Sequence, residues 1–249
     1  MMTLQEFFSH HPKIAVALSG GVDSAFLLWA AKHCGVTVKA YYVQTAFQPR
    51  FEYDDALRLA KELDVPLQVV PLDILQFSDV CRNGSDRCYF CKKAMLGAIL
   101  QAAQDDGFSV LADGTNASDD AHDRPGMKAL EQLGVLSPLR LCGITKEQVR
   151  KLSREAGLFT HRKPAYACLA TRIPNGTAIK ASDLEKTEAA EDALKAMGFD
   201  DFRVRLKDGC AVVQVSARQY ALALARWDAI VQALQPYYGE VILSQEVRP

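Results

Sequence analysis

The sequence has no long apolar run and almost no net charge. No stretch of its 249 residues reaches the roughly 18 uninterrupted apolar residues of a membrane-spanning helix. Residues 1–13 lack the basic and apolar regions of a secretory signal peptide. Because 29 Lys and Arg are balanced by 30 Asp and Glu, the charge gives no general attraction to nucleic acid. We therefore expect a cytoplasmic protein that binds neither a membrane nor nucleic acid.

The seven cysteines are odd in number and do not form a series of closely spaced pairs. Such a set does not resemble the disulfide framework of a small secreted protein. Cys88 and Cys91 form one CxxC just before a helix expected over 92–104. No second CxxC and no spaced histidine pair follows, so local spacing cannot complete a zinc site. A redox pair, half of a zinc site and part of an iron–sulfur site all stay open for this CxxC.

A glycine-rich loop is present without the Gly-Lys-Ser/Thr that would make it a Walker-type P-loop. This glycine loop, Ser19-Gly20-Gly21-Val22-Asp23-Ser24, lies between an apolar run over 13–18 and a helical pattern from Ala25. The glycines allow the backbone to approach a ligand closely, and the amides that begin the helix favour phosphate. Ser19 and Ser24 could add hydroxyl donors, and Asp23 could hold Mg²⁺ or merely cap the helix. We expect a phosphate-binding loop rather than an ordinary strand-to-helix turn.

Strand and helix patterns alternate four times in the first half of the chain. This alternation predicts an α/β fold, with a parallel sheet that carries helices on both faces. The expected strands are 13–18, 37–43, 67–70 and 109–112. Ligands of such sheets lie beyond the carboxyl ends of the strands. Since Asp113-Gly114-Thr115 follows the fourth strand, we expect it to face the same pocket as the glycine loop.

From residue 182 the pattern changes to helix, strand, strand, helix and strand, with one helix expected over 217–234. This order indicates a small α+β domain. We therefore divide the chain into domains 1–178 and 179–249.

Cys168 lies alone in an irregular segment that is rich in proline and basic residues. Arg162, Lys163 and Arg172 are close to it in sequence. Such cations would lower the pKa of the thiol and favour the thiolate. This thiol is therefore a candidate for reaction or for metal binding.

Several strings together resemble a known family. The glycine loop resembles the pyrophosphate loop of the PP-loop ATP pyrophosphatases, which cleave ATP between the α and β phosphates. Further strings narrow the resemblance to the LarE group of PP-loop sulfur transferases. They are Asp86-Arg87-Cys88-Tyr89-Phe90-Cys91-Lys92, Asp113-Gly114-Thr115-Asn116, Arg124-Pro125-Gly126, Gly134-Val135-Leu136-Ser137-Pro138-Leu139 and Lys163-Pro164-Ala165-Tyr166-Ala167-Cys168-Leu169-Ala170-Thr171-Arg172-Ile173-Pro174. The resemblance covers nearly the whole chain and implies a PP-loop, HUP-like fold and a homo-oligomer.

The resemblance also implies an activity. In the LarE group, ATP adenylylates a carboxylate of pyridinium-3,5-biscarboxylic acid mononucleotide, and a sulfur atom then displaces AMP to leave a thiocarboxylate. The implied cofactors are ATP and Mg²⁺, and the implied partner is a small nucleotide substrate. The catalytic residues implied are Cys168, Asp23 and Glu191. The implied nucleotide-binding residues are Ser19, Gly20, Gly21, Asp23, Ser24, Asp113, Gly114 and Thr115.

Two sulfur donors occur in this group. In one type a single cysteine, matching Cys168, gives up its own sulfur and becomes dehydroalanine. In the other type three cysteines hold a [4Fe–4S] cluster that carries an extra sulfide. Because Cys88, Cys91 and Cys168 are all present, the chain resembles the cluster type. Three thiolates leave one iron of a four-iron cluster open for that sulfide.

Arg203 and Arg205 match two arginines that hold the substrate phosphate in the LarE group. They alternate on an expected strand and so share one face. Glu191 matches an acidic residue near the same site. The alternative for all three residues is an ordinary solvated charged face.

Three other functions compete with sulfur transfer to a small nucleotide. A tRNA thiolase should show a basic face or an added RNA-binding domain, neither of which the composition suggests. An amidating PP-loop enzyme would leave the three cysteines unexplained. A nucleotide-sensing module with structural zinc would keep the glycines but would not need a basic loop around one thiol.

Overall fold

The computed structural model of the chain describes residues 2–119 and 125–247. Its strands are β1 (Lys13–Ala17), β2 (Thr37–Gln44), β3 (Leu67–Pro71), β4 (Leu111–Ala112), β5 (Phe202–Lys207), β6 (Cys210–Val215) and β7 (Val241–Leu243). Its helices are α1 (Leu4–His10), α2 (Val22–His33), α3 (Arg50–Glu62), α4 (Ser78–Cys81), α5 (Arg87–Asp105), α6 (Pro125–Gln132), α7 (Pro138–Leu141), α8 (Lys146–Glu155), α9 (Ala181–Ala196), α10 (Ala217–Ala225) and α11 (Trp227–Leu234). Arg124, part of one family string, lies outside the described residues.

Contacts divide the chain into two compact units. The first unit comprises Met1–Ile74 and Cys88–Ala165, and the second comprises Leu75–Arg87 and Tyr166–Pro249. The second unit therefore begins before residue 178 and also includes a segment from the first half of the chain. Separate domains at 1–178 and 179–249 stay a prediction, because a compact unit and an independently folding domain are different properties. None of the helices within the described ranges is long and apolar enough to span a membrane.

The first unit contains a four-stranded, all-parallel sheet in the order β3-β2-β1-β4. Ile14 and Val16 of β1 join one buried cluster, while Ala15 between them joins another on the opposite face. Residues of α2 fill the first cluster and residues of α5 fill the second. Because both faces are covered, the strands are continuous apolar runs rather than alternating ones. The predicted α/β fold with helices on both faces is confirmed.

The order in which the chain adds strands to the sheet reverses at β1. The chain runs from β1 to β2 and β3 on one side, and β4 returns to the other side of β1, pairing Val16 with Ala112. Such a switch point opens a crevice beyond the carboxyl ends of β1 and β4. The glycine loop follows β1, and Asp113 follows β4 directly, so both segments begin at this crevice.

The second unit contains a three-stranded sheet in the order β5-β6-β7. β5 and β6 are antiparallel, whereas β6 and β7 are parallel. Phe202 and Val204 point to a core that also contains Leu194 of α9 and Ile230 of α11. The predicted α+β character of this part of the chain is confirmed.

Two element boundaries differ from the expectation. The helix expected at 92–104 begins at Arg87, so Cys88 and Cys91 are its second and fifth residues and do not belong to the preceding loop. The single helix expected over 217–234 is two helices, α10 and α11, that meet at Arg226. Arg226 leaves the helical conformation at φ −112° and ψ 17°, and its guanidinium donates to the Met197 carbonyl at 2.7 Å. The helical pattern of apolar residues does not reveal this break between α10 and α11. The break coincides with a side-chain contact to a residue far away in the sequence.

Asn83 fastens the segment 75–87 to the rest of the second unit. It is fully buried and has φ 56°, a left-handed conformation that asparagine tolerates better than most residues. Its Nδ2 donates to the carbonyls of Pro174 at 2.8 Å and Thr177 at 3.0 Å. Its Oδ1 accepts from Arg87, and its backbone carbonyl accepts from Gly176 N at 2.9 Å.

Asn83→Ala should destabilise the second unit by about 3 kcal/mol, because it leaves buried carbonyls and a guanidinium without their partner. Each unit carries one of the two tryptophans, Trp29 and Trp227. Urea unfolding followed by fluorescence in a Trp29→Phe background would therefore report the second unit. Asn175→Ala, at an exposed position in the stretch 174–177 that Asn83 binds, is the control and should change stability by less than about 0.5 kcal/mol. Equal unfolding midpoints for the two variants would contradict this role for Asn83.

Candidate active site

The glycine loop closes tightly on itself and on α3. Gly20 has φ +74°, and a Cβ at this position would lie 2.6 Å from the Glu52 carbonyl oxygen. No other residue type fits there without moving the backbone. Ser24 Oγ accepts from Ser19 N at 3.2 Å and donates to Gly21 O at 3.3 Å. The two serines thus hold the shape of the loop.

The first turn of α2 faces the crevice with its amide end. Gly21 is the N-cap residue and has no side chain that could accept from the first-turn amides. The carboxylate of Asp23 does not serve as the cap either. Its Oδ1 accepts from Asn116 Nδ2 at 3.3 Å, and its Oδ2 accepts from Lys146 Nζ. The helix therefore presents the partial positive charge that favours a phosphate.

The segment after β4 packs directly against this turn. A Cβ at Gly114 would lie 2.6 Å from Ser24 N and 2.9 Å from Ser24 Cα. Asp113 shapes the segment, because its carboxylate accepts from Thr115 Oγ1 at 2.5 Å, Thr115 N at 3.2 Å and Ser137 Oγ at 2.6 Å. Lys92 Nζ lies 3.8 Å from the same carboxylate. The structure thus brings Asp113, Gly114 and Thr115 to the glycine loop.

Two lysines that the sequence did not assign to this loop reach it. Lys146, the first residue of α8, binds Asp23. Lys163 Nζ donates to Gly20 O at 2.9 Å and pairs with Asp55 at 2.5 Å, with only 15% of its side chain exposed. Lys163 had a weak sequence signal, since it opens the string that contains Cys168. The only sequence signal near Lys146 is the capping pattern Thr145-x-x-Gln148. This pattern indicates where a helix begins and does not indicate a binding site.

Cys88 and Cys91 are the second and fifth residues of α5, so their side chains share one face of the helix. Cys88 is exposed and Cys91 is half-buried. Among residues 2–119 and 125–247, no three His, Cys, Asp or Glu side chains are grouped so as to hold a metal ion.

Cys168 belongs to the second unit, where it is half-buried before the short helical turn 169–172. Its carbonyl accepts from Thr171 Oγ1 at 2.8 Å. The cations expected to favour its thiolate have carboxylate or imidazole neighbours of their own. Lys163 pairs with Asp55, Arg172 pairs with Glu191, and Arg162 Nε lies 3.1 Å from His161 Nε2. The predicted lowering of the pKa of Cys168 stays a prediction.

Glu191 is the centre of a buried network in the second unit. It is 1% exposed, and so is its partner Arg172. Its Oε1 accepts from Arg172 Nε at 2.6 Å and Val204 N at 3.1 Å, and its Oε2 accepts from Tyr166 OH at 2.6 Å. Burial, together with the neighbouring carboxylate, raises the pKa of Tyr166. Glu191 is therefore not part of a solvated charged face.

Arg203 and Arg205 are held in different ways. Arg203 is buried at 6% exposure, donates to Phe202 O at 2.6 Å and lies 4.9 Å from the Tyr166 ring centroid. Arg172 contacts the same ring at 4.7 Å. Arg205 is exposed and donates to Thr171 O at 3.1 Å. Tyr166 thus orients two guanidinium groups while its hydroxyl binds Glu191.

Cys34, Cys142 and Cys210 lie outside the strings that carry the family resemblance. Cys142 is buried, and Cys34, the C-cap residue of α2, is exposed. Cys210 is half-buried, and its Sγ lies 3.2 Å from Glu240 Oε2.

Comparison with known proteins gives relatives over most of the chain. A pyridinium-3,5-bisthiocarboxylic acid mononucleotide synthase of Lactiplantibacillus plantarum is 30% identical over 225 residues, which is 90% of this chain and 82% of that protein. An uncharacterized protein of Synechocystis is 31% identical over 219 residues, or 87% and 81% of the two chains. A tRNA-specific 2-thiouridylase of Pseudothermotoga lettingae is 29% identical over 202 residues, with 66% of this chain and 57% of that protein covered. No family model matches the chain.

Gly114→Ala should destabilise the first unit by about 3 kcal/mol and weaken nucleotide binding, because its Cβ meets the backbone of α2. Thermal unfolding and calorimetric ATP titration would measure the two effects. Gly97→Ala is the matched control, since Gly97 lies inside α5 with nothing within 4 Å of the added Cβ. It should stabilise the protein by about 0.5–1 kcal/mol. Equal behaviour of the two variants would contradict the close packing at Gly114.

Arg172→Met should destabilise the second unit by about 3–5 kcal/mol, because it leaves the Glu191 carboxylate buried without a counter-charge. Arg205→Met, at an exposed position, is the control and should lose no more than about 1 kcal/mol. Adding Glu191→Met to Arg172→Met should restore part of the loss, since the buried charge is then gone. Urea unfolding measures all three variants. A double variant no more stable than Arg172→Met would show that the pair does not act as a unit.

Proposed function

The chain belongs to the LarE group of PP-loop, ATP-dependent sulfur transferases, and from this premise we propose that it converts a carboxylate of pyridinium-3,5-biscarboxylic acid mononucleotide into a thiocarboxylate. As a member of this group it uses ATP and Mg²⁺. The substrate is proposed from the name of the Lactiplantibacillus relative, which aligns with nine-tenths of the chain. The predicted homo-oligomer stays a prediction.

The observation that carries this proposal is the geometry of the glycine loop. Gly20 lets the loop close on α3, and Gly114 lets the segment after β4 pack on the first turn of α2. Gly21 leaves the first amides of α2 without a side-chain cap, so they can donate to a pyrophosphate. In the proposed first step a substrate carboxylate oxygen attacks the α-phosphorus of ATP, and pyrophosphate leaves. Helix amides and nearby lysines stabilise the charge of this leaving group. Asp23 is the carboxylate in the loop that would hold Mg²⁺ on the phosphates.

We assign the substrate phosphate to Arg203 and Arg205 of the second unit. Guanidinium groups suit a phosphate because they donate two parallel hydrogen bonds. Tyr166 and the carbonyls of Phe202 and Thr171 fix the direction of the two side chains. The prediction that Glu191 is catalytic stays a prediction, and its contacts favour a role through Tyr166 and Arg172. Glu191 would then act by positioning the arginines.

We propose that Cys88, Cys91 and Cys168 hold a [4Fe–4S] cluster, which when bound would supply the sulfide that replaces AMP on the activated carboxylate. The residues fit such a group in their chemistry, since thiolates are its usual ligands. Two of the thiols, Cys88 and Cys91, lie three residues apart near the start of α5 and so share one face of the helix. In the alternative, Cys168 gives up its own sulfur and becomes dehydroalanine. That alternative assigns no role to Cys88 and Cys91, which share one face of α5.

Cysteine variants separate these two sulfur donors. Protein prepared without oxygen should be brown and contain about four irons per chain. Cys88→Ala, Cys91→Ala and Cys168→Ala should each lose iron and sulfur transfer together while still releasing pyrophosphate from ATP and substrate. Cys34→Ala, at an exposed position outside the site, is the control and should keep its iron.

Three outcomes would contradict parts of the proposal. Colourless, active protein that becomes lighter by one H₂S at Cys168 would replace the cluster by the sacrificial cysteine. Thiolation of tRNA, with no thiolation of the pyridinium mononucleotide, would favour the activity named for the thiouridylase relative. Absence of pyrophosphate release with every carboxylate tested would contradict adenylylation itself.

A further inference from the structure

Asp23 is already bound to a cation of the chain itself. Its Oδ2 accepts from Lys146 Nζ, and its Oδ1 accepts from Asn116 Nδ2 at 3.3 Å. The Lys146 and Asp23 side chains are 36% and 22% exposed, so the pair is neither sealed from solvent nor fully solvated. All three residues belong to the first unit.

Lys146 stands where a lysine is unfavourable for its own helix. It is the first residue of α8, and the positive end of a helix dipole repels an ammonium group. The backbone holds it there firmly. Thr145 and Gln148 form a reciprocal capping box, and Lys146 N donates to Ser118 Oγ at 2.9 Å. The ion pair with Asp23 offsets the repulsion between the ammonium group and the helix dipole. This pairing explains why a lysine is tolerated at the first position of α8.

We infer that Lys146 is a positioning residue that occupies Oδ2 of Asp23 in the absence of nucleotide and yields this oxygen to Mg²⁺ when ATP binds. The inference rests on the proposed role of Asp23 as a metal ligand. An ammonium and a Mg²⁺ cannot share one carboxylate oxygen without strong repulsion, because Mg²⁺ binds its ligands at about 2.1 Å. Bound ATP brings phosphate oxygens that give the displaced ammonium a new partner.

This exchange has two consequences of opposite sign. Without nucleotide, Lys146 competes with a divalent cation and lowers the affinity of Asp23 for it. With nucleotide but no metal, Lys146 attracts the phosphates and raises their affinity. A residue that only supported the fold would change both affinities in the same direction.

Lys146→Met tests the inference with Mn²⁺ as the probe, its binding followed by electron paramagnetic resonance in the absence of ATP. The variant should bind Mn²⁺ about tenfold more tightly than the unaltered protein, since one opposing charge is gone. Calorimetry in EDTA should show weaker binding of metal-free ATP to the same variant. Lys146→Arg keeps the charge and should resemble the unaltered protein in its Mn²⁺ affinity. Lys151→Met, at an exposed position of α8, is the matched control and should change neither affinity.

The double variant Asp23→Asn, Lys146→Met should lose the gain in Mn²⁺ affinity, which locates the gain at Asp23. Unchanged or weaker Mn²⁺ binding by Lys146→Met would overturn the inference. Pyrophosphate release by the unaltered protein tests the proposed function separately. If that release occurs and the Mn²⁺ result fails, only the exchange at Asp23 is wrong. If no carboxylate supports release, adenylylation fails and the Mn²⁺ measurement still decides whether Lys146 competes for Asp23.

Discussion

The approach of Gly114 to the first turn of α2 is the constraint on which the rest of the first unit's site depends. β1 and β4 are parallel neighbours, and β4 is only two residues long, so the chain turns at once beside the glycine loop. The missing side chain lets two backbones touch. Asp113 then fixes the turn through Thr115 and Ser137, and the turn places the Asn116 amide on Asp23. One glycine thus allows two separate loops to form a single surface.

Two lysines on that surface already form ion pairs with carboxylates of the chain in the absence of a ligand. The positive end of α2 is joined by Lys146 and Lys163, which are bound to Asp23 and Asp55 respectively. Binding a pyrophosphate and its metal would exchange these partners instead of burying isolated charges. Exchange costs less than new desolvation, because each group has already lost part of its hydration. The pairing thus keeps the site stable in the absence of nucleotide without a large penalty when nucleotide binds.

The sequence was sufficient for the parts of this fold that depend on local patterns. Apolar runs located the four parallel strands, and the glycine loop between β1 and α2 was evident from its residues alone. Lys146 and Lys163 were not assigned to that loop, since they lie 123 and 143 residues from the groups that they bind. Asn83 was missed for the same reason, because the carbonyls to which its side chain donates are about ninety residues away and periodicity reports only neighbours in the chain.

Arg203 and Arg205 show what the two-residue alternation of a strand can predict and what it cannot. Alternation along β5 correctly predicts that both side chains leave the face occupied by Val204. It does not predict that Arg203 is buried against Tyr166 while Arg205 is exposed. Contacts between residues far apart in the sequence hold Arg203. Its guanidinium lies over the Tyr166 ring, the Tyr166 hydroxyl donates to Glu191, and Arg172 binds the same carboxylate. A period of two reports only which face of a strand a side chain takes, so it cannot predict such contacts.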